Sequence, residues 1–478
     1  HDPLELVRQK RIGGTTSMWG GRCVPLDDID FEARRHVAGS GWPISLYDLL
    51  PYYQRAHSHC ELGEFEYHVG EAVPGASPFV IDGRPSRVTD DRIWRWSPPV
   101  KFGRVLRRLV RSEPDVSLYH HATVVGLERD RLGGRITRVR VLAGPGRELT
   151  VEAGTIVLAA GCLETARLLL ASDVGNEHDL VGRYYMTHPF AELGTVSFAD
   201  PSRAAYHFMT TRDGVYCRRM LTVSEETQRQ LGLLNLAAAL WYPDPRDPAH
   251  EDALLSSYAL VRAVMARARL DWKSAGVHRR YAESGDIRRH LVNVLKDVPS
   301  VARFGVTWAR RRWLAQRSLP SFMVGEATLG LRLRVDIEQS PEPRNRVTLD
   351  RRCDALGLPR LLLDYRVSRT DRESVVRSLK VIRDEFSRLG VGKVELPPES
   401  IVLDEMPLGD GTHQMGVTRM ADSPRQGVVD RRCRVHGAGN LYIASSSVFP
   451  TGGFAGPTLT VVALAVRIAD DVRRDRSP

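Results

Sequence analysis

No apolar run in this chain approaches the roughly 18 residues that a bilayer-spanning helix needs. The longest near the C-terminus, Leu459–Val466, has the length of a core helix. There is no CxxC pair: the six cysteines, Cys23, Cys60, Cys162, Cys217, Cys353 and Cys433, are scattered. Neither a metal site nor a disulfide framework is expected, and a reducing cytoplasm is the default compartment. There is no internal repeat and no low-complexity tract, which excludes solenoid and collagen-like architectures. A signal-peptide pattern is also missing. The sequence opens at His1 inside what reads as a folded element, so the expectation is that a preceding segment has been cut away.

What is present is 478 residues, enough for two domains or one large elaborated one. The hydrophobic content, 42%, is that of an ordinary globular protein. The net charge is +10, carried far more by Arg than by Lys, and it is concentrated. Residues 262–317 hold 14 Lys/Arg against 4 Asp/Glu, an excess equal to the whole net charge. The balanced remainder argues against a general nucleic-acid binder. The segment 255–317 reads as helices. Its Arg excess is either a solvated face or a docking surface for an acidic partner, a membrane or an electron acceptor, whose hold weakens with salt.

Near the N-terminus, RIGGTTSMWGGRC sets Gly13–Gly14 and Gly20–Gly21 on either side of TTSMW. Paired glycines let backbone approach a ligand closely or take positive φ; a surface turn is the alternative. Ser45 reads as an N-cap with Asp48 three residues on, opening a helix whose apolar face is Leu46, Leu49, Leu50 and Tyr53. Residues 61–100 read as an irregular excursion, 101–114 as a short basic helix, and 115–160 as mostly strand. Thr155–Ala160 is a continuous apolar run of the kind buried on both faces of a parallel sheet. Gly161 ends it and Leu163–Ala171 reads as helix, so that strand–AAG–helix is half of a doubly wound nucleotide fold. His188, before Pro189, reads as a loop histidine. Strands return at 321–350 (SFMVGEA, LRLRVDIEQ, NRVTLD) and in LPRLLLDYRV. Arg369–Leu389 reads as a long helix with Val375, Val376, Leu379, Ile382 and Phe386 on its apolar face.

Two features carry chemistry. His413 lies in GTHQMGVTRM, a Gly- and Met-rich loop, as a candidate acid/base; a structural histidine is the alternative. Downstream, Leu441–Ala444 reads as a buried strand. Pro457 then reads as the first position of an apolar helix, behind Gly452, Gly453 and Gly456. Thr458–Thr460 would present free N–H groups to an anionic or electron-rich ligand; an ordinary capped core helix is the alternative.

The succession GGTTSMWGG, GWPIS with PYYQRA, TIVLAAGCLETARLLLAS, DLVGRYYMTHP, EQSPEPRNRVTL, HQMGVTRM and LYIASSSVFPTGGFAGPTLT resembles the glucose–methanol–choline (GMC) family of flavin-dependent oxidoreductases. It looks most like the bacterial, pyranose-oxidase-like sugar and polyol branch. The resemblance runs from Gly13 to Asp470 and is weakest over 180–330. It implies an α/β fold: a Rossmann-like FAD-binding domain, incomplete at its N-terminus, from 1–60, 100–190 and 405–478, with an inserted α+β substrate-binding domain over 191–404. It implies FAD-dependent oxidation of an alcohol group on a sugar, glycoside or polyol, with hydride passing to flavin N5 and His413 as base. A base helps because an alkoxide releases hydride far more readily than an alcohol.

The cofactor-binding positions that the resemblance implies are spread along the chain. Gly13, Gly14, Thr15, Thr16, Trp19 and Gly20 match the segment along the flavin and pyrophosphate. Val124 matches the strand beside the adenine, and Ala160 and Gly161 the nucleotide-side turn. Ala444 and Ser445 stand at the end of the C-terminal strand, and Thr458 and Leu459 at the helix start near the flavin pyrimidine. The electron acceptor is left open among oxygen, a quinone and a carrier. In the family a strand–GxGxxG–helix precedes the segment at Gly13, so here it would fall before His1. Gly456, 43 residues after His413, occupies a catalytic position where the family usually carries His or Asn on the substrate oxygen. Met18 stands where some sugar-oxidising relatives attach FAD through a histidine, so FAD is expected to be non-covalent. Alternative readings are a tailoring oxidase of a non-sugar hydroxyl, a flavin-dependent lyase, and a degenerate non-catalytic binding protein.

Overall fold

A computed structural model describes the chain except residues 1–7, 77–80, 82–83, 99, 131–133, 145, 205–206, 268–285, 322–329, 406–412 and 476–478. Its longer helices are α1 (Leu46–Cys60), α2 (Phe102–Ser112), α3 (Cys162–Ala171), α4 (Ala253–Arg267), α5 (Ile287–Lys296), α6 (Val298–Ala309), α7 (Arg369–Leu389) and α8 (Thr458–Arg474).

One hydrophobic core gathers α1, α3 and α8 around a parallel pair of strands, Ile156–Leu158 and Leu441–Ile443. The Ala444 amide extends the ladder to the Leu158 carbonyl at 2.9 Å. The capping box expected at Ser45 and Asp48 starts α1. Inside the core α1 is tied to α8 by Tyr53 Oη and Thr460 Oγ1, 2.8 Å apart. The expected burial of Thr155–Ala160 on both faces does not occur. Val157 is 44% exposed, because among the described residues its sheet has two strands and its outer side is uncovered. Within 115–160, expected to be mostly strand, the first strand begins only at Thr123, and α2, though basic as expected, buries none of its residues.

The second core lies between α7 and a six-stranded antiparallel sheet. In spatial order its strands are Gly392–Glu395, Phe190–Phe198, Leu331–Ile337, Leu236–Trp241, Leu221–Val223 and Val88–Thr89. Val375, Val376, Leu379, Ile382 and Phe386 of α7 are all buried there, as their spacing predicts. Local chemistry sets the ends of α7: a Ser368–Asp371 capping box starts it and Gly390, at φ 65°, stops it. Side chains alternate along the sheet. Leu331, Leu333, Val335 and Ile337 enter the second core, while Ala237 and Ala239, opposite Asp336 and Arg334, face the first.

The hairpin Arg346–Cys353/Pro359–Asp364 packs Val347, Leu361 and Leu363 onto the first core, although it lies within 191–404. Most of the strand expected at SFMVGEA lies outside the described residues. The cores are joined by buried charge. Arg34 donates two hydrogen bonds to Glu338, and Asn235 Nδ2 donates to Asp27 and Asp30 at 3.0 Å.

Candidate active site

A cavity of about 720 Å³ opens where the turn Gly14–Ser17, the start of α3 and the start of α8 meet. Thr15, Thr16, Trp19, Gly20, Ala160, Gly161, His413, Gly456 and Thr458 all line it. Six other expected positions lie elsewhere. A Cβ on Gly13 would stand 2.5 Å from the Gly103 amide, so this glycine serves the approach of the N-terminal turn to α2. Gly14 begins the turn without lining the cavity. Val124 sits half-exposed on a peripheral strand. Ala444 continues the parallel ladder, Ser445 accepts from the Ser447 amide, and Leu459 is fully buried in the first core.

Two helix starts point into the cavity. No side chain caps the first turn of α8, whose first backbone bond runs from Val461 N–H to the Pro457 carbonyl. The N–H groups of Thr458, Leu459 and Thr460 therefore have no acceptor within the helix. The helix begins one residue later than expected, with Pro457 as its cap. α3 also has no side-chain cap, and its cap residue Gly161 has φ 76° and ψ 178°, a conformation essentially confined to glycine. Nothing lies within 4 Å of where a Cβ on Gly161 or Gly20 would stand. A flat, anionic ligand can thus approach bare backbone between two positive helix ends. At the mouth Arg8 and Lys10 share Glu164, at 3.0 and 3.4 Å, which leaves one positive charge in excess among the three.

His413 is held by a chain of bonds that fixes where its protons sit. The Gly452 carbonyl can only accept, so the 3.2 Å contact with His188 Nε2 places a proton on that nitrogen. In neutral His188 the other nitrogen, Nδ1, is then an acceptor. It lies 2.9 Å from His413 Nδ1, which must donate to it. Neutral His413 is left with its lone pair on Nε2. Gly452 is required for this arrangement, since a Cβ there would stand 2.6 Å from Met415 Cε and 3.2 Å from His188 Nε2.

Both imidazoles are kept neutral. Burial lowers His188 to about 4 against the favourable bond to Gly452. Burial, then His188, then Arg22 lower His413 to about 3, opposed by Asp336. Burial pushes the Asp336 carboxyl up, but Arg22 and Arg334 outweigh it and hold the group below the usual carboxylate range. Arg22, a cavity residue, donates to Asp336 at 2.6 Å and lies over the Trp94 ring. Asp336 is thus an ionised group that favours a cation on His413. Position 456 faces the same point: a Cβ there would stand 3.5 Å from His413 Cε1 and 3.8 Å from Nε2, in ordinary contact.

His188 and Arg22 escaped sequence reasoning. His188 reads as a loop histidine because its partner is 225 residues away. The only sequence signal was the block DLVGRYYMTHP, in which it is the last residue but one. Among the described residues no group of three or more His, Cys, Asp or Glu side chains could hold a metal.

A family model described as GMC oxidoreductase matches residues 341–465, the stretch that carries both His413 and Gly456. The chain is 24% identical to the fructose dehydrogenase large subunit of Gluconobacter japonicus, over 98% of this chain and 81% of that one. It is 28% identical to a C-glycoside 3-oxidase of Microbacterium trichothecenolyticum, over 97% of this chain and 76% of that one. Among solved structures it is similar to pyridoxine 4-oxidase from Mesorbium loti, with a TM-score of 0.52 and 18% identity over 98% of this chain and 84% of that one. The structural likeness is one of fold: a Rossmann-like α/β domain joined to a second domain.

Proposed function

We propose that this GMC-type oxidoreductase oxidises an alcohol group on a sugar, glycoside or polyol, with FAD held non-covalently in the cavity and His413 as the base. The observation that carries the reading is the single open valence at His413 Nε2, fixed by the Gly452–His188–His413 chain and directed into the cavity. FAD, when bound, supplies the hydride acceptor. The uncapped starts of α3 and α8, with Gly20, Gly161 and the Arg8–Lys10 pair, suit its flat ring and its negative phosphates. Met18 lines the cavity and offers no nitrogen for a covalent link.

His413 Nε2 takes the hydroxyl proton. The imidazolium so formed keeps its Nδ1–H bond to His188, which strengthens when its donor is charged, and lies in the field of Asp336. The substrate-binding portion is the six-stranded sheet with α7; the hairpin 346–364 belongs with the FAD side. Relatives that act on fructose and on C-glycosides support a carbohydrate or polyol substrate.

The test is anaerobic reduction of the FAD-loaded full-length protein by a panel of sugars, glycosides and polyols. Bleaching near 450 nm (roughly, the oxidised-flavin band) by a member of the panel is expected. Turnover without bleaching would point to a lyase, and no response to any alcohol would remove the reading.

A further inference from the structure

Helix α5 is built inside out. Its buried residues are polar: His290 Nδ1 lies 3.1 Å from Ser256 Oγ, and Asn293 Nδ2 donates to the Pro248 carbonyl and to Ser256 Oγ. On the opposite side of the same helix, Leu291 and Val292 are about half exposed and Leu295 is 73% exposed. α4 has an ordinary apolar inner face but also exposes apolar residues. It buries Leu255, Ala259 and Ala263 and turns Val261 and Val264 outward. The outward apolar positions continue with Val298 and Val306 on α6 and end at Trp313 and Leu314, 71% and 80% exposed. These three helices pack on one another. Together with the turn that follows α6 they leave nine large apolar side chains about half exposed or more, the kind of surface that marks an interaction site.

Guanidinium groups interleave with this surface. Arg288 and Arg289 flank the α5 leucines, and Arg310 and Arg311 precede Trp313. Among the described residues none of the four has a carboxylate partner. The nearby acids are already engaged: Asp286 caps α5, Asp297 caps α6, and Glu251 pairs with Lys296.

We propose that α4, α5, α6 and the turn Arg310–Leu314 dock on the surface of an anionic lipid bilayer, their aliphatic side chains and Trp313 entering the headgroup boundary while the arginines meet lipid phosphates. No described helix is long and apolar enough to cross a membrane, so the contact is interfacial. An acidic protein surface would answer the charge but not the outward aliphatic rows. A two-fold contact between copies would press one arginine cluster against another.

The test is co-sedimentation of the FAD-loaded full-length protein with phosphatidylcholine vesicles containing phosphatidylglycerol, against phosphatidylcholine alone. Binding is expected only to the anionic vesicles, with a blue shift of Trp313 emission that disappears in Trp313→Phe. It should weaken at least about tenfold when salt rises several-fold above about 0.1 M. The double substitution Leu291→Ser/Leu295→Ser should lower partitioning about tenfold or more, and Arg310→Gln/Arg311→Gln about thirtyfold. Alcohol oxidation in solution should be unchanged in both. Absence of binding to anionic vesicles at low salt overturns the proposal, as does binding that neither double variant weakens. It is also overturned if sedimentation shows an oligomer that Leu291→Ser/Leu295→Ser dissolves, which would make a second copy the occupant.

Discussion

Two histidine settings in this fold look alike by every measure except one. His57, in α1, is buried, and burial lowers its imidazole to about 4. His188 is equally buried and lowered to about the same value, with His413 beside it lower still. Around His57 the protein satisfies both ring nitrogens: Nδ1 donates to the Gly63 carbonyl at 3.0 Å, and Nε2 accepts from Tyr67 Oη at 2.9 Å. Phe65 and Tyr67 pack edge-on against it. In the His188–His413 pair three nitrogens are engaged and the fourth, His413 Nε2, opens on the cavity. A lowered pKa therefore does not separate a working histidine from a structural one here. The unsatisfied valence does.

The comparison breaks most visibly if His413 is removed. His413→Ala should slow anaerobic flavin reduction about 10³-fold, within the range of lost base catalysis, and leave FAD content unchanged. Near-normal reduction would mean that the open valence is not the base. His188→Ala should come next, at about 10²-fold, because His413 Nδ1 loses the acceptor that fixes its tautomer. A shift of the acid limb of the pH profile should accompany it, which a purely packing role would not produce. His57→Ala should do the reverse. It leaves the Gly63 carbonyl and Tyr67 hydroxyl without partners, for about 2–4 kcal/mol of stability, while the rate of flavin reduction holds. Thermal melts beside stopped-flow traces separate the two outcomes. Gly456→Asn sharpens the comparison from the other side. An amide beside Nε2 can donate to the substrate oxygen as it becomes negative, raising kcat/KM about tenfold. An unchanged kcat/KM would place the reacting oxygen away from position 456.

The difference between the two settings also explains what the sequence could disclose. Local devices were legible, such as the Ser45–Asp48 box, the apolar stripe of α7 and the glycine-rich turn into α8, because each is written within one helical turn of its effect. His413 was legible through the motif around it. His188 was not, because its role depends on Gly452 and His413, far along the chain. Val157 was misjudged for a related reason: a continuous apolar run predicts burial on both faces, but burial depends on what covers the strand. α5 inverts the usual rule outright. Which of its faces is inner is set by Ser256 and Pro248 of another segment, not by its own pattern.

The smallest effect per group concerns acid stability, and there the two settings should behave alike. An unfolded histidine titrates near 6.5, whereas folded His57 and His188 titrate near 4. Between those values the unfolded chain binds protons that the folded chain refuses, so stability is full above pH 6.5 and falls as pH drops. The fall levels off once the folded imidazoles are themselves protonated, near pH 4. Each fully buried histidine contributes a slope of up to about 1.4 kcal/mol per pH unit in that window. His57→Phe should remove one such contribution, flattening the dependence of melting temperature on pH between about 4.5 and 6.5. His188→Phe should remove an equal one, although only His188→Phe also slows flavin reduction. If the slope stayed the same in both variants, these histidines would titrate in the folded protein where they do in the unfolded chain, near 6.5. Below that pH Nδ1 of His188 could not accept from His413, and the tautomer that leaves Nε2 open would lose its anchor.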